Sequence, residues 1–181
     1  MSFRERRLED ATGYFEKAMA LLDGDLGSAG MLISCYTAAG DEHGLRRVAQ
    51  IALARAEKVL SEDPSNAKAT GFGVNALAAL GDGPQAREWI SRALLMDPDD
   101  RTMRYNCACA LSARLGDIDG ALGVLGPFFA RAPRSLLIHA AADTDLDPLR
   151  GDPRFQAMFA AAEARVAASE AGALPPRPRP A

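Results

Sequence analysis

Three closely spaced aspartates, Asp143, Asp145 and Asp147, are the residues whose type and spacing come nearest to metal chemistry. Carboxylates at alternate positions open the calcium loop of an EF-hand, which also needs Gly at its sixth position and a bidentate Glu at its twelfth. Here those two positions hold Pro148 and Arg154. We therefore interpret the run as a capped turn and predict no metal there.

The cysteines and histidines are too dispersed along the chain to predict a metal site. Cys107 and Cys109 are two positions apart, so on a helix they point about 200° apart, and Cys35 stands alone. His43 and His139 lie in separate parts of the chain, whereas zinc needs clustered ligands. An odd number of cysteines without framework spacing indicates a reducing, cytoplasmic environment.

No motif in the sequence predicts an enzyme. The chain has no Gly-x-Ser-x-Gly elbow, no HExxH pair and no GxxxxGK[ST] phosphate loop. The run Gly71-Phe72-Gly73 falls inside a predicted helix and follows no predicted strand, so we interpret its glycines as allowing close helix packing or leaving room for a ligand backbone. We predict no catalytic residue and no cofactor, which leaves a binding surface as the source of function.

The composition supports a single domain of ordinary globular type. Of 181 residues, 48% are hydrophobic and 25% are charged, and the formal net charge is −3. A slightly acidic chain of this kind is not expected to bind nucleic acid or an anionic membrane surface. No stretch approaches the roughly 20 apolar residues of a membrane span, and the opening MSFRERRLED lacks the apolar region of a secretory signal.

An internal repeat determines the predicted architecture. An apolar comb recurs in which an alanine is followed by apolar residues four and seven positions later and by a proline twelve positions later. Offsets of four and seven place the apolar residues on one face of a helix, and the proline ends that helix. The three combs are Ala52, Ala56, Val59 and Pro64; Ala86, Ile90, Ala93 and Pro98; and Ala121, Leu125, Phe128 and Pro133.

Each repeat is predicted to be a helical hairpin. A Gly-Asp pair precedes every comb, at Gly40-Asp41, Gly81-Asp82 and Gly116-Asp117. Glycine can close the preceding helix in a left-handed conformation, and aspartate can cap the next helix. No segment alternates with period two, so we predict an all-α fold. The predicted helices are 8–22, 28–39, 41–62, 67–80, 84–96, 101–115, 118–131, 135–142 and 153–170.

The period of 34 to 35 residues, the Gly-Asp turn and the comb ending in Asp63-Pro64 or Asp97-Pro98 resemble the tetratricopeptide repeat (TPR) family. Ala86 and Ala93 match the small helix-crossing positions of that family. The resemblance covers about residues 8–133. It implies an α-solenoid of stacked hairpins whose first helices, the A helices, line a concave face.

Two repeats depart from the regular pattern. Helix 41–62 is two turns longer than its counterparts, and we expect the extra turns to project beyond the array, with Gly44 a weak point near the start. Gly126-Pro127 lies inside helix 118–131, and proline removes a helical hydrogen bond. We therefore expect a kink or an early end there that turns Phe128 and Phe129 into the core.

The segment ADTDLDPLRGDPRF after Pro133 resembles the closing segment of TPR arrays that lie C-terminal to bacterial class III nucleotidyl cyclases or in kinase-linked chains. Its last helix is expected to seal the hydrophobic edge of the array. The predicted organisation is a leading half-repeat helix (1–26), three repeats (27–64, 65–98 and 99–133), a closing segment (134–171) and a disordered Pro-rich tail (172–181).

The family's geometry implies a groove on the A helices that could hold a peptide or helix of a partner protein. Asn75 and Asn106 could hydrogen-bond a peptide backbone, Lys68 could pair with a carboxylate, and Tyr105 could serve as an aromatic anchor. Gly30 and Ser34 stand where chaperone-binding members have the Lys and Asn of a carboxylate clamp, which argues against a chaperone tail. The full predicted groove set is Ser34, Thr37, Lys68, Asn75, Thr102, Tyr105, Asn106 and Cys109.

Two other functions remain open from the sequence. In one, the chain associates with a second copy, whose half-repeat is completed by the leading helix, and forms a homodimer. In the other, the chain is the TPR portion of a larger bacterial signalling protein, such as a nucleotidyl cyclase. The function best supported by the residues is a non-catalytic protein-interaction module.

Overall fold

The computed structural model describes residues 8–173, and over that range the chain is helical and contains no strand. Every predicted helix is present, with ends within three residues of the predicted ones when the π-helical turn Ala110–Arg114 is counted with the helix before it, so the all-α prediction is confirmed. The last helix of each repeat packs back on the one before it. The helices are α1 (Leu8–Leu21), α2 (Leu26–Ala39), α3 (Glu42–Glu62), α4 (Ala67–Leu80), α5 (Gly83–Met96), α6 (Arg101–Cys109), α7 (Ile118–Arg131), α8 (Arg134–Ala142) and α9 (Pro153–Ala173).

Short polar residues start the helices and glycines end three of them. Each capping side chain accepts a hydrogen bond from the backbone N–H three residues later, which satisfies one of the free donors of the first turn. Gly40, Gly81 and Gly116 have positive φ angles of 69°, 87° and 63°, as the Gly-Asp pairs predict. The capping residues are Asp25, Asp41, Asn66, Asp82, Asp100 and Asp117.

The alanines of the combs form the seams between helices. Ala56, Ala86, Ala93 and Ala121 are completely buried. α4 is central, because it packs against its neighbours in sequence, α3 and α5, and also against α2 and α6. Small side chains at these crossings let the helices approach closely, which is how each hairpin buries an apolar face that it could not bury alone.

The long helix α3 corrects one expectation. Its first two turns do not project beyond the array, because Leu45, Val48 and Ala49 are buried against α2. These residues continue the apolar stripe of Ala52 backwards at helical spacing, so the added turns share its inward face. Gly44 is buried too, and a Cβ added there would lie 2.6 Å from the ring of Tyr36.

Helix α7 corrects a second expectation. It does not end early at Pro127 but continues to Arg131. Gly123, whose carbonyl loses its usual partner at Pro127, is on the exposed side of the helix, where water can satisfy it. Phe128 and Phe129 are buried as predicted, so both reach the core without the turn that we expected to redirect them.

The closing segment seals the array with aromatic contacts. The ring of Phe129 lies edge-on to those of Phe155 and Phe159 on α9, with centroids 5.8 and 5.5 Å apart. Before α9, a short 3₁₀ helix, Thr144–Leu149, packs against a π-helical turn, Ala110–Arg114, that extends α6.

The predicted tail begins too early. Residues 172 and 173 still belong to α9, and residues 174–181 lie outside the described part of the chain. No helix within residues 8–173 combines the length and the apolar content that crossing a bilayer requires. The division of the array into three repeats stays a prediction.

Candidate functional site

A cavity of about 440 Å³ lies on the face that α2, α4 and α6 share. These are the first helices of the three predicted hairpins, and their stacking brings polar residues from distant parts of the sequence to one surface. α8, the 3₁₀ helix and the turn between them close one side through Leu136, His139, Asp143 and Asp145. We call this cavity the groove.

Six of the eight predicted groove residues line the groove. They come from three helices, α2, α4 and α6, and lie on the face that these helices share. Asn75 is buried, Asn106 is half-buried and Thr102 is exposed. The six are Ser34, Asn75, Thr102, Tyr105, Asn106 and Cys109.

The other two predicted residues lie elsewhere. Lys68 is exposed and borders a separate hollow with Gly24 and Asn66. The Thr37 hydroxyl donates to the carbonyl of Ile33 and accepts a hydrogen bond from the guanidinium of Arg114. Thr37 therefore ties α2 to the end of α6 rather than lining the groove.

The closed end of the groove is acidic and held by hydrogen bonds. Tyr105 Oη donates to Asp143 Oδ2 at 2.6 Å, and Ser34 Oγ donates to Asp145 Oδ2 at 2.5 Å. The backbone N–H of Asp145 donates to Asp143 Oδ1 at 3.0 Å, so Asp143 caps the 3₁₀ helix as the sequence predicts. Cys109 Sγ lies 3.9 Å from Asp143 Oδ2. We call these five residues the acidic recess.

Burial raises the pKa values of two groups in the acidic recess, Asp145 and Cys109. Loss of solvent raises the pKa of Asp145 to about 7, and the nearby carboxylate of Asp143 adds to the increase, while the hydrogen bond from Ser34 and the charge of Arg114 oppose it. Burial, followed by the charge of Asp143, also raises the pKa of the Cys109 thiol well above its ordinary value. The thiol is therefore protonated at neutral pH and is not an activated nucleophile.

Three buried polar atoms of the groove have no hydrogen-bond partner. Asn75 Oδ1 and Asp145 Oδ1 are acceptors, and Asn106 Nδ2 is a donor. A buried polar group without a partner costs about 1–3 kcal/mol, and such groups are uncommon in folded proteins. Three of the six such atoms within residues 8–173 belong to residues that line the groove, where a bound molecule would satisfy them, and the other three lie outside it.

The acidic recess also contains atoms that metals bind, which the sequence did not predict. Cys109 Sγ and one carboxylate oxygen each from Asp143 and Asp145 lie within 4.8 Å of one another. His139 Nε2 lies 3.6 Å from Asp143 Oδ2. The spacing of these residues along the chain gave no signal, because Cys109 precedes Asp143 by 34 positions and only the fold brings them together.

A tetratricopeptide repeat family model matches residues 49–115, from the middle of α3 through α6. The match covers the comb of Ala86 and the Gly-Asp turn at Gly81, which are features that carry the resemblance in the sequence. No curated protein and no solved structure gave a significant match to the chain. The match supports a relationship of residues 49–115 to the tetratricopeptide repeat family, and these residues lie within an all-α array of TPR-like hairpins.

Proposed function

We propose that this chain is a non-catalytic protein-interaction module that presents the groove to an extended peptide or a helix of a partner protein. TPR repeats generally mediate contacts between proteins, and their all-helical fold is typically non-catalytic. The observation that carries the proposal is the groove itself, a cavity of about 440 Å³ lined by polar residues from three stacked helices.

The unpartnered atoms of the groove suit a peptide backbone. A peptide offers both N–H donors and carbonyl acceptors at regular spacing. Asn106 Nδ2 can donate to a carbonyl, and Asn75 Oδ1 can accept from an N–H. Phe72 and Phe128 also line the groove and provide apolar surface for side chains of the ligand.

The experiment is a selection of random dodecapeptides, displayed on phage, against the whole chain. The affinity of the enriched peptides is then measured by fluorescence anisotropy for the wild type and for Asn75→Ala. We expect affinity to fall about tenfold, because the variant removes one hydrogen bond to the ligand. We expect the free energy of unfolding to change by less than about 1 kcal/mol, because Asn75 Oδ1 has no partner within the fold.

The matched control is Lys68→Ala, which truncates a residue on the same helix but outside the groove. It should leave the affinity unchanged. Enriched peptides that bind Asn75→Ala and the analogous Asn106→Ala variant as tightly as the wild type would place the binding surface elsewhere and contradict the proposal.

Self-association is the second candidate, because apolar side chains near the leading helix are exposed. Tyr14, Leu21 and Leu22 expose 68%, 82% and 61% of their surface. Under the main proposal, light scattering over a concentration series gives the mass of a monomer. A dimer that is lost in the double variant Leu21→Asp, Leu22→Asp would instead make self-assembly the primary role.

The cellular setting is part of the same proposal. We propose a cytoplasmic protein that binds neither nucleic acid nor membrane, in keeping with three buried free cysteines and a small net negative charge. The resemblance of the closing segment to arrays attached to bacterial nucleotidyl cyclases suggests a place in signalling, and it rests on sequence alone.

A further inference from the structure

We infer that the acidic recess receives one basic side chain, Lys or Arg, of the partner peptide. This inference rests on the proposed function of the groove and adds the chemistry that the groove selects.

The first observation is that two buried carboxylates lie side by side at the closed end of the groove. Asp143 and Asp145 each expose only 3% of their surface. Arg114 is the cation whose charge acts on Asp145, but its guanidinium is hydrogen-bonded to Thr37 and to the carbonyl of Ile33. His139 Nε2 also lies 3.6 Å from Asp143 Oδ2, but it adds a positive charge only when protonated. With a neutral imidazole, the two carboxylates outnumber the cation of Arg114 in a site of low dielectric, where an incoming cation is favoured.

An unpartnered side chain outside the carboxylate pair is the second observation. Asn75 exposes 4% of its surface and lines the same cavity, and its Oδ1 has no hydrogen-bond partner. Asp145 Oδ1 is also without a partner. Two unsatisfied acceptors call for a donor with several N–H groups, and lysine carries three while arginine carries five.

The shape of the groove suits a side chain with an apolar stem and a charged end. Phe128 and Leu136 line the groove together with Asp143. The ring of Phe128 packs 5.1 Å from that of Tyr105, whose hydroxyl holds Asp143. The methylene groups of a lysine or arginine can lie along such an apolar wall while the charged end reaches the carboxylates.

A bare metal ion fits these observations less well. Both oxygens of Asp143 already accept hydrogen bonds, one from Tyr105 and one from the backbone of Asp145. Of the two carboxylates, only Asp145 offers an oxygen without a partner. An ammonium or guanidinium group can add hydrogen bonds to this arrangement, whereas a metal would need several of the existing bonds to be replaced.

The test uses the dodecapeptides selected against the whole chain. We expect the enriched peptides to share one Lys or Arg, and norleucine at that position to weaken binding about 30-fold or more, as for removal of one member of a buried charge pair. Asp145→Asn should weaken the basic peptide similarly and make the norleucine change nearly neutral. Asp23→Asn alters an exposed carboxylate outside the groove and should behave as the wild type.

The possible outcomes separate this inference from the proposed function. Peptides that need Asn75 or Asn106 but share no basic residue would overturn the inference and leave the proposed function standing. Failure to select any peptide that needs the groove would overturn both. If Asp145→Asn does not fold, the norleucine comparison on the wild type decides alone, since it requires no variant.

Metal binding is the remaining outcome, and it would also overturn the inference. The dialysed chain would take up one equivalent of Zn²⁺, Cys109→Ser would abolish the uptake, and the selected peptides would show no preference for a basic residue.

Discussion

Replacing Gly71 by alanine is expected to lower the free energy of unfolding by about 2–3 kcal/mol, because the added methyl group has no room. A Cβ at Gly71 would lie 2.8 Å from the Cα of Met103 on α6. The atom in the way is backbone, so no side-chain rotation relieves the clash and α4 must move away from α6. Urea unfolding followed by circular dichroism measures the loss.

Gly123→Ala is the matched control for this prediction. Gly123 lies inside α7 on its exposed side, and an added Cβ would meet nothing within 4 Å. The same substitution there should raise stability by about 0.5–1 kcal/mol, because glycine is a poor helix residue. If both variants gained stability, Gly71 would not be a point of close helix contact. The structure thus favours helix packing over ligand space as the reason for this glycine.

Stability is expected to fall as the pH rises from about 4 to 7, because Asp145 has a raised pKa in the fold. Its pKa is about 7 in the folded chain, against an ordinary value of 3.8. Between these values the folded state holds a proton that the unfolded state has released. Each pH unit of increase therefore lowers the free energy of unfolding by on the order of 1.4 kcal/mol. Above about pH 7 the free energy of unfolding falls no further from this cause, and below about pH 4 Asp145 does not affect it.

Asp145→Asn isolates this effect from that of the other carboxylates. Half-buried Asp152 has the opposite effect: hydrogen bonds from Arg154 lower its pKa to about 2, so the stability that it contributes is lost as the pH falls. We expect the variant to match the wild type near pH 4.5 and to exceed it by about 2–4 kcal/mol at pH 8 in urea unfolding. Asp23→Asn, at an exposed carboxylate outside the groove, serves as the control and should follow the wild type. Parallel curves for all three proteins would show that Asp145 is ionised in the folded chain.

The helices could be predicted from the sequence because each is marked at both ends and along one face. Gly81 and Asp82 mark a turn, and Ala86, Ile90 and Ala93 mark the buried stripe that follows it. The expectation that failed for α3 concerns where the helix packs. Leu45 is as apolar as the comb residues, but only the position of α2 shows that it is buried rather than projecting.

The candidate site was also predicted only in part from the sequence. Asn75 and Asn106 were predicted because the geometry of the TPR family, which the sequence resembles, implies a groove on the first helices of the hairpins, and both residues line the groove. Asp143 and Asp145 were interpreted only as a capped turn, which the structure bears out for Asp143. Their second role at the end of the groove depends on contacts with Ser34 and Tyr105, and local spacing carries no information about contacts between such distant parts of the chain.

The bond from Ser34 to Asp145 joins residues 111 positions apart, and Arg114 reaches back to Thr37 across 77 positions. An open solenoid is flexible along its length, because each repeat contacts only its neighbours and small changes of angle between repeats accumulate along the array. These two hydrogen bonds join α2, near the start of the array, to the turn after α6 and to the 3₁₀ helix near its end. They therefore restrict bending of the array that would move its two ends apart. The two bonds also hold the width of the groove constant. Under the proposed function, a groove of constant width would select ligands by their thickness before any polar contact forms.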